Sequence, residues 1–193
     1  VTGVQTCALP IYAPTIVVAD TTSSGTLTEG TTPLETSGTI VFADVDLNNS
    51  PTASLASAAT QISATTSDGS SLPLTADQRS ALENAFVISP DTNNSNTGSI
   101  NWTYSLSESD LDFLAEGETI QATFNIDISD GSAGNNASAA QTVTISIDGT
   151  NDAPVISAIT SPARTENAAL FSLNLLDTAS DVDTTNSLSI VQI

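Results

Sequence analysis

The sequence predicts an all-β protein, an antiparallel sandwich of two sheets with one short helical insertion. Residues 99–106, 119–129 and 141–148 alternate cleanly between apolar and polar side chains. Such period-two alternation places one face of a strand against a core and the other face in water. Short runs of Val, Ile, Thr and Phe, bounded by Asn, Asp, Gly and Ser, lie between these segments. About seven strands in roughly 140 residues are typical of a two-sheet sandwich.

The remaining strands have weaker signals. The first is expected to begin at residues 16–18 and to run on to about Glu29, and the second to span residues 36–43. Residues 52–56 and 61–66 form shorter and less regular runs. Together with the three alternating segments, these runs make the seven expected strands.

One insertion between the strands has a helical pattern. Thr75 and Gln78 form a capping-box signature, in which each side chain satisfies a free amide at the start of a helix. Apolar residues follow at helical spacing: Ala81, Leu82, Ala85 and Phe86. We therefore predict a helix after Thr75, and a second short turn over residues 109–115 that ends at Gly117.

The charge of the chain limits its partners. Of 193 residues, 22 are acidic and two are basic, so the formal net charge is −20. Such a surface cannot neutralise phosphates, which excludes nucleic acid and an anionic membrane surface and favours cations. Because 39% of the residues are apolar and follow alternating patterns, we expect a folded acidic domain rather than a disordered chain. No apolar run approaches the roughly 18 residues that a membrane-spanning helix needs, so no membrane insertion is expected.

The chain offers no catalytic constellation. It has no His, and Cys7 is its only Cys, so it has no common general base, no disulfide framework and no Cys/His metal site. Glu116 and Glu118 flank Gly117 without an adjacent base, and we interpret both as solvated turn residues. The protein is not expected to be an enzyme.

The first eleven residues differ from the rest. Residues 1–11 carry no charge, contain Cys7 and resemble the translated read-through of a sequencing adapter. A short genuine strand or linker is the alternative. We treat residues 1–11 as a non-native segment. Because the chain contains no Met, we expect it to be an internal, metagenomic fragment of a longer protein.

After Asn151 the sequence begins to repeat itself. Two motifs recur at nearly constant offsets: Asp44-Val45-Asp46 as Asp181-Val182-Asp183 at 137 positions, and Ala13-Pro14 as Ala153-Pro154 at 140. A fixed period of domain length indicates tandem modules. We therefore expect a first module over residues 12–152 and the N-terminal part of a truncated second module over residues 153–193.

Five motifs carry a family resemblance: Gly38-Thr39-Ile40 leading to Asp44-Val45-Asp46, Asn101-Trp102-Thr103-Tyr104, and residues 114–119, 129–131 and 148–154. In this order they resemble bacterial VCBS repeats and, more distantly, cadherin domains. The resemblance implies an immunoglobulin-like sandwich, repeated in arrays on large, secreted bacterial adhesins. In the cadherin relatives calcium binds between successive domains. The implied partners are the neighbouring repeats of the same chain and a cell-surface glycan or protein ligand, and the implied location is extracellular.

Alternating strand directions bring acidic residues to the two ends of the sandwich. We call the end that contains Tyr12 the N-terminal pole and the end that meets the second module the C-terminal pole. Calcium binds about six to eight oxygens, and carboxylates are its preferred side-chain ligands. The candidate ligands at the junction are Glu29, Asp110, Asp148, Asn151, Asp152, Asp181 and Asp183. This set exceeds what one ion needs, so two or more ions fit the prediction. Residues 108–112 lack the Asp-Arg-Glu of cadherins.

A weaker calcium site is expected at the N-terminal pole, from Asp44, Asp46 and Asp130. There Ile11-Tyr12 stands where the second junction has Asn151-Asp152, so two oxygen ligands are missing. The alternative for both poles is that these acids are ordinary turn residues, since Asp and Asn cap turns without binding any ion. Recurrence at a fixed offset favours calcium.

Two functions remain open at this point. The leading hypothesis is a structural repeat of a secreted adhesin, a spacer that calcium stiffens in support of cell adhesion or biofilm formation. The alternative is a glycan- or protein-binding accessory module of an extracellular enzyme, with Trp102 and Tyr104 as a stacking platform. Both rings share a face with Ile100 and Leu106, so we favour a place in the core.

Overall fold

The computed structural model describes residues 12–46, 50–56, 60–90, 94–131, 138–160 and 163–191. The predicted non-native segment, residues 1–11, lies outside the described residues. Within them the chain is mostly β-structure with one α-helix. The predicted fold class, an all-β sandwich with a short helical insertion, is confirmed.

The described residues form eleven strands: β1 (Thr15–Ile16), β2 (Ser24–Thr28), β3 (Glu35–Ala43), β4 (Thr52–Leu55), β5 (Gln61–Thr65), β6 (Phe86–Pro90), β7 (Thr97–Ser105), β8 (Thr119–Ser129), β9 (Ser138–Asp148), β10 (Val155–Ile156) and β11 (Ala179–Ser180). The helix α1 spans Ala76–Asn84, and 3-10 helices lie at Val18–Asp20 and Glu108–Asp110. One sheet has the order β1-β3-β7-β6, and the facing sheet has the order β2-β9-β8-β4, with β5 also on β8. Their strand pairs are antiparallel except β2 with β9, which is parallel.

The core lies between the two sheets and is filled by the alternating strands. Trp102 and Tyr104 of β7 are fully buried, as the shared face predicted. The Phe86 ring of one sheet stacks on the Phe124 ring of the other at 4.2 Å between centroids. The polar atoms of the buried rings have partners, since the Trp102 indole N–H donates to the Thr22 carbonyl at 2.8 Å. Both aromatic side chains of β7 therefore serve packing rather than an exposed platform.

The prediction of one continuous first strand was wrong. The chain leaves the first sheet after β1, turns through the 3-10 helix Val18–Asp20 and joins the second sheet as β2. The physical reason is that residues 19–26 contain no large apolar side chain that a core-facing strand could bury. The hydrogen bond from Trp102 to Thr22 holds the chain at this crossing. Glu29 nevertheless follows directly after β2, at the C-terminal pole.

The helix prediction was correct at its start and wrong at its end. The capping box is present, with the Gln78 N–H donating to Thr75 Oγ1 at 3.2 Å and the Thr75 N–H to Gln78 Oε1 at 2.8 Å. Phe86 was assigned to the helical pattern but begins β6, an unpredicted strand. Stacking of its ring on Phe124 explains why the strand conformation prevails there.

The second module repeats the strand pairing of the first. In β10 and β11 Val155 pairs with Ser180, whereas in β1 and β3 Thr15 pairs with Ala43. These pairs are related by the same offsets, 140 and 137, that relate the sequence motifs. The internal repeat is therefore present in hydrogen-bond register as well as in sequence. The boundaries of the two modules stay a prediction.

The second module leaves apolar side chains in solvent. Leu170 and Val191 are almost fully exposed, and Phe171 is 46% exposed. Among the described residues β11 pairs only with β10, whereas β3 pairs with β1 and β7. The described part of the second module thus lacks the covering strands that close the first.

Candidate metal site

Strand direction delivers the predicted acidic residues to the two poles. β2 and β9 run toward the C-terminal pole and bring Glu29 and Asp148 there. β3 and β8 run the opposite way and bring Asp44 and Asp130 to the N-terminal pole. The loop after β11 places Asp183 against Asp152 at the C-terminal pole. The two halves of the predicted junction set therefore do meet.

Glu29 is the most unusual residue of the C-terminal pole, because it is a carboxylate only 3% exposed. Its backbone N–H donates to the Asp148 carbonyl at 3.0 Å, which continues the β2–β9 pairing by one residue. Its Oε2 accepts the Thr150 N–H at 2.8 Å. Its Oε1 is buried and has no hydrogen-bond partner among the described residues. Such an atom costs free energy unless a donor or a cation satisfies it.

The electrostatic surroundings of Glu29 are unfavourable for its charge. Burial raises the pKa of Glu29 from 4.5 to about 7, against the lowering effect of the Thr150 N–H. The neighbouring charges of Asp152, Glu108 and Asp183 make smaller contributions to this rise. This carboxylate is therefore surrounded by negative charge from both modules.

Asp183 has the same character on the side of the second module. It is 2% exposed, and its Oδ2 accepts the Asp152 N–H at 3.1 Å and the Asn186 side-chain amide at 2.7 Å. Its Oδ1 is buried without a partner among the described residues. Burial raises the pKa of Asp183, and the charges of Asp181, Asp152 and Glu118 add to this effect. The Asp152 N–H acts in the opposite direction.

Two residues near the predicted Asp110 complete the group around Glu29. One carboxylate oxygen each of Glu29, Glu108 and Asp112 lie within 4.8 Å of one another. Glu108 Oε1 also accepts the Gly30 N–H at 2.7 Å. We call Glu29, Glu108, Asp112, Asp152 and Asp183 the junction cluster.

Asp110 is placed differently from the prediction. Its Oδ2 accepts the Ser107 N–H at 3.0 Å and the Ser107 hydroxyl at 2.5 Å, and thus caps the 3-10 helix Glu108–Asp110. Asp110 also lies near Tyr104, whose phenol pKa is raised mainly by burial and further by this charge. The pattern Ser107-x-x-Asp110 is a capping-box signature that could have indicated the local role.

The other predicted junction residues lie at the rim of the cluster. Asp148 and Asn151 are exposed, and the Asn151 amide donates to the Asp152 carbonyl at 2.6 Å. Asp181 is half-buried, and its Oδ1 accepts the Asp183 N–H at 3.1 Å. The contact of Asp148 with Glu29 is made by its backbone carbonyl. Calcium accepts carbonyl as well as carboxylate oxygens, so these positions stay predicted ligands.

The N-terminal pole repeats the same turn with fewer acids. Asp44 Oδ1 accepts the Asp46 N–H at 2.8 Å, as Asp181 accepts that of Asp183. The Tyr12 N–H donates to Asp46 Oδ2 at 2.9 Å, as the Asp152 N–H donates to Asp183. Asp44 is buried, and its Oδ2 has no partner among the described residues.

Asp130 is also buried at this pole. Tyr12 occupies the position that Asp152 has at the junction, and the weaker calcium site at this pole stays a prediction.

The interpretation of Glu118 as a solvated turn residue was wrong. Glu116 is exposed, but Glu118 is 2% exposed. Its Oε2 accepts the Ala115 N–H at 3.1 Å, and its Oε1 accepts the Thr185 hydroxyl at 2.9 Å. No local signal distinguishes Glu118 from Glu116, since its burial depends on a residue far along the chain.

Comparison with known proteins leaves the family open. No protein-family model matches the chain, and no curated protein matches it in sequence. In the part of the chain that the structure describes, none of the helices is both long and apolar enough to cross a membrane.

Proposed function

We propose that this chain is a structural repeat of a secreted bacterial surface adhesin, in which calcium bound between modules stiffens a tandem array. One observation carries the proposal. Glu29 and Asp183 belong to different modules, the charge of Asp183 acts on Glu29, and each keeps a buried oxygen without a partner among the described residues. A cation bound between the modules would satisfy both oxygens.

The chemistry of the cluster fits calcium. Its donors are all oxygens, which hard divalent cations prefer, and the chain has no His to favour a transition metal. Glu29, Glu108, Asp112 and Asp152 would hold the ion from the first module, and Asp181 and Asp183 from the second. Calcium would supply the positive charge and the coordination positions that these unpartnered oxygens could fill.

The mechanical role follows from the charges. Without an ion, the acids of the junction cluster repel one another, and this repulsion adds to the larger effect of burial on the pKa of Glu29. This repulsion favours separation of the two modules. An ion shared by both modules reverses the sign of the interaction and favours one fixed orientation. Repeated along an array, such junctions would hold a distal binding domain away from the cell.

The adhesin context is supported by the sequence alone. The order of the five motifs resembles that of VCBS repeats, whose arrays occur on secreted adhesins. The proposed partners are the neighbouring repeats and a cell-surface glycan or protein that the array presents or reaches. The alternative, a glycan-binding accessory module, gains no support from Trp102 and Tyr104, because both rings are buried.

Calorimetric titration of metal-free protein with calcium tests the proposal. We expect binding with a dissociation constant of about 10⁻⁴ to 10⁻³ M, the range of extracellular calcium modules. Asp183→Asn keeps the size of the side chain and should weaken binding at least about tenfold, because it removes a charged ligand. Asp46→Asn is the matched control, since Asp46 lies in the equivalent turn at the other pole.

The control variant should leave the strongest binding step unchanged. Absence of calcium binding in the wild type, or equal losses in the two variants, would contradict a site at the junction. Small-angle scattering should show a narrower distribution of shapes with calcium than without it. An unchanged distribution would leave an ion site without a stiffening role.

A further inference from the structure

Glu118 differs from the unsatisfied acids of the junction. Both of its oxygens have donors, one the Ala115 N–H of its own module and the other the Thr185 hydroxyl of the second module. Glu29 and Asp183, by contrast, each have a buried oxygen without a partner among the described residues. A carboxylate that is already satisfied has little reason to bind an ion. Its position suits a contact between the two modules instead.

A second contact between the modules lies beside the first. The Phe113 carbonyl accepts both the Thr184 N–H at 3.3 Å and the Thr184 hydroxyl at 3.2 Å. With the bond from Thr185 to Glu118, consecutive residues of the second module make three hydrogen bonds to the first. Two of these three bonds are donated by side-chain hydroxyls, those of Thr184 and Thr185.

The first module holds the accepting groups in place without help from the second. Gly117 has a φ of 82°, a conformation that turns the chain back toward the sandwich just before Glu118. The backbone of Glu118 bonds on both sides, its N–H to the Ala115 carbonyl at 3.0 Å and its carbonyl to the Gly149 N–H at 3.0 Å. Because the Ala115 N–H also donates to its Oε2, the Glu118 carboxylate is held by bonds within the first module.

We infer that Phe113 and Glu118 form a docking surface for the segment Thr184-Thr185, and that this contact orients the two modules without any ion. The partner that this surface fits is a pair of hydroxyl residues directly after an Asp-x-Asp turn. The positions after the first Asp-x-Asp, Leu47-Asn48, do not have this chemistry. Glu118 is thus a positioning residue: its contact opposes the repulsion within the junction cluster, and calcium would strengthen an alignment that this contact already favours.

Spin-label distance measurements test the contact in the absence of calcium. Labels are attached to cysteines at the exposed positions Thr103 and Ser180, one in each module, after Cys7→Ser. The chelated wild type should show a narrow distance component. Thr185→Val keeps the shape and removes the hydroxyl. It should lower the ratio of aligned to misaligned molecules about tenfold, the effect expected from one hydrogen bond to a charged group.

Two further variants separate alignment from a general loss of stability. Thr185→Ser restores a hydroxyl and should restore the narrow component. Thr178→Val removes a hydroxyl bond within the second module, to the Ser157 carbonyl at 2.6 Å, and should leave the distances unchanged. Added calcium should recover alignment in Thr185→Val if the proposed ion site exists. The failure of that recovery would count against the ion site alone.

The inference is overturned if Thr185→Val and the wild type give the same distances in chelator. It is equally overturned if the chelated wild type shows no narrow component. Both results are independent of whether calcium binds, so they leave the proposed function to its own calorimetric test.

Discussion

Replacing Glu29 by Gln separates the cost of its charge from the ion binding that the charge is proposed to serve. Gln keeps an oxygen for the Thr150 N–H, the partner of Glu29 Oε2. A pKa raised from 4.5 to about 7 means that holding the charge costs roughly 3 kcal/mol in the metal-free protein.

The raised pKa means that the folded state binds the proton of Glu29 more tightly than the unfolded state does. Protonation of Glu29 therefore stabilises the fold. The contribution of Glu29 to stability is therefore fully present below pH 4.5 and is lost as the pH rises to about 7.

Urea unfolding in metal-free buffer measures this effect. At about pH 8 the Glu29→Gln variant should be more stable than the wild type by up to roughly 3 kcal/mol, and near pH 4.5 the two should be equal. With saturating calcium at about pH 8 the order should reverse, because the variant loses a charged ligand. Glu116→Gln removes an exposed charge at the same pole and serves as the control.

The control should change stability by less than about 0.5 kcal/mol. If Glu29→Gln and wild type have the same free energy of unfolding in metal-free buffer at about pH 8, the charge of Glu29 does not destabilise the folded protein.

Three further predictions concern ion binding and packing. Calcium affinity measured by calorimetry should increase between about pH 5 and about pH 8, because calcium must displace a proton from Glu29 below its pKa of about 7; a flat profile would exclude Glu29 as a ligand. Thr75→Ala removes the helix cap and should lower the free energy of unfolding by about 1 kcal/mol, and an unchanged urea midpoint would contradict that role. Gly149→Ala would place a Cβ 2.5 Å from the Leu114 and Ala115 carbonyl oxygens. It should cost about 1–3 kcal/mol in thermal unfolding, and a stable variant would disprove close packing there.

Much of the fold could be predicted because its signals are local. The alternation in β7 and β8 identifies the strands and their buried faces, and the Thr75 capping box locates the start of α1. The break in the first strand could not be predicted in the same way. It depends on the Trp102 indole reaching the Thr22 carbonyl, a contact between residues 80 positions apart.

The sequence could predict which pole holds the candidate site, but not which side chains form it. Strand direction predicts only that Glu29 and Asp183 both lie at the C-terminal pole. Which acid of residues 108–112 faces Glu29 is decided by the 3-10 helix, whose cap occupies Asp110. Glu118 was misjudged because the hydroxyl that covers it belongs to Thr185, and periodicity gives no information on contacts between modules.

The two Asp-x-Asp turns show why the motif alone does not define an ion site. Both turns close through equivalent hydrogen bonds from backbone N–H groups to Asp carboxylates, around Asp46 at one pole and Asp183 at the other. What the junction adds is the acids of the adjoining first module, Glu29 among them. Burial is the main cause of the raised pKa values of Glu29 and Asp183, and neighbouring acids of the junction contribute to both. Bringing the modules together therefore gathers the negative charge that a bound cation would neutralise. By linkage, an ion that binds the aligned state more tightly must stabilise that alignment by the same free energy. The stiffening by calcium then equals the difference in its binding free energy between aligned and misaligned modules, and a variant that loosens the Glu118 contact should weaken calcium binding without removing any ligand.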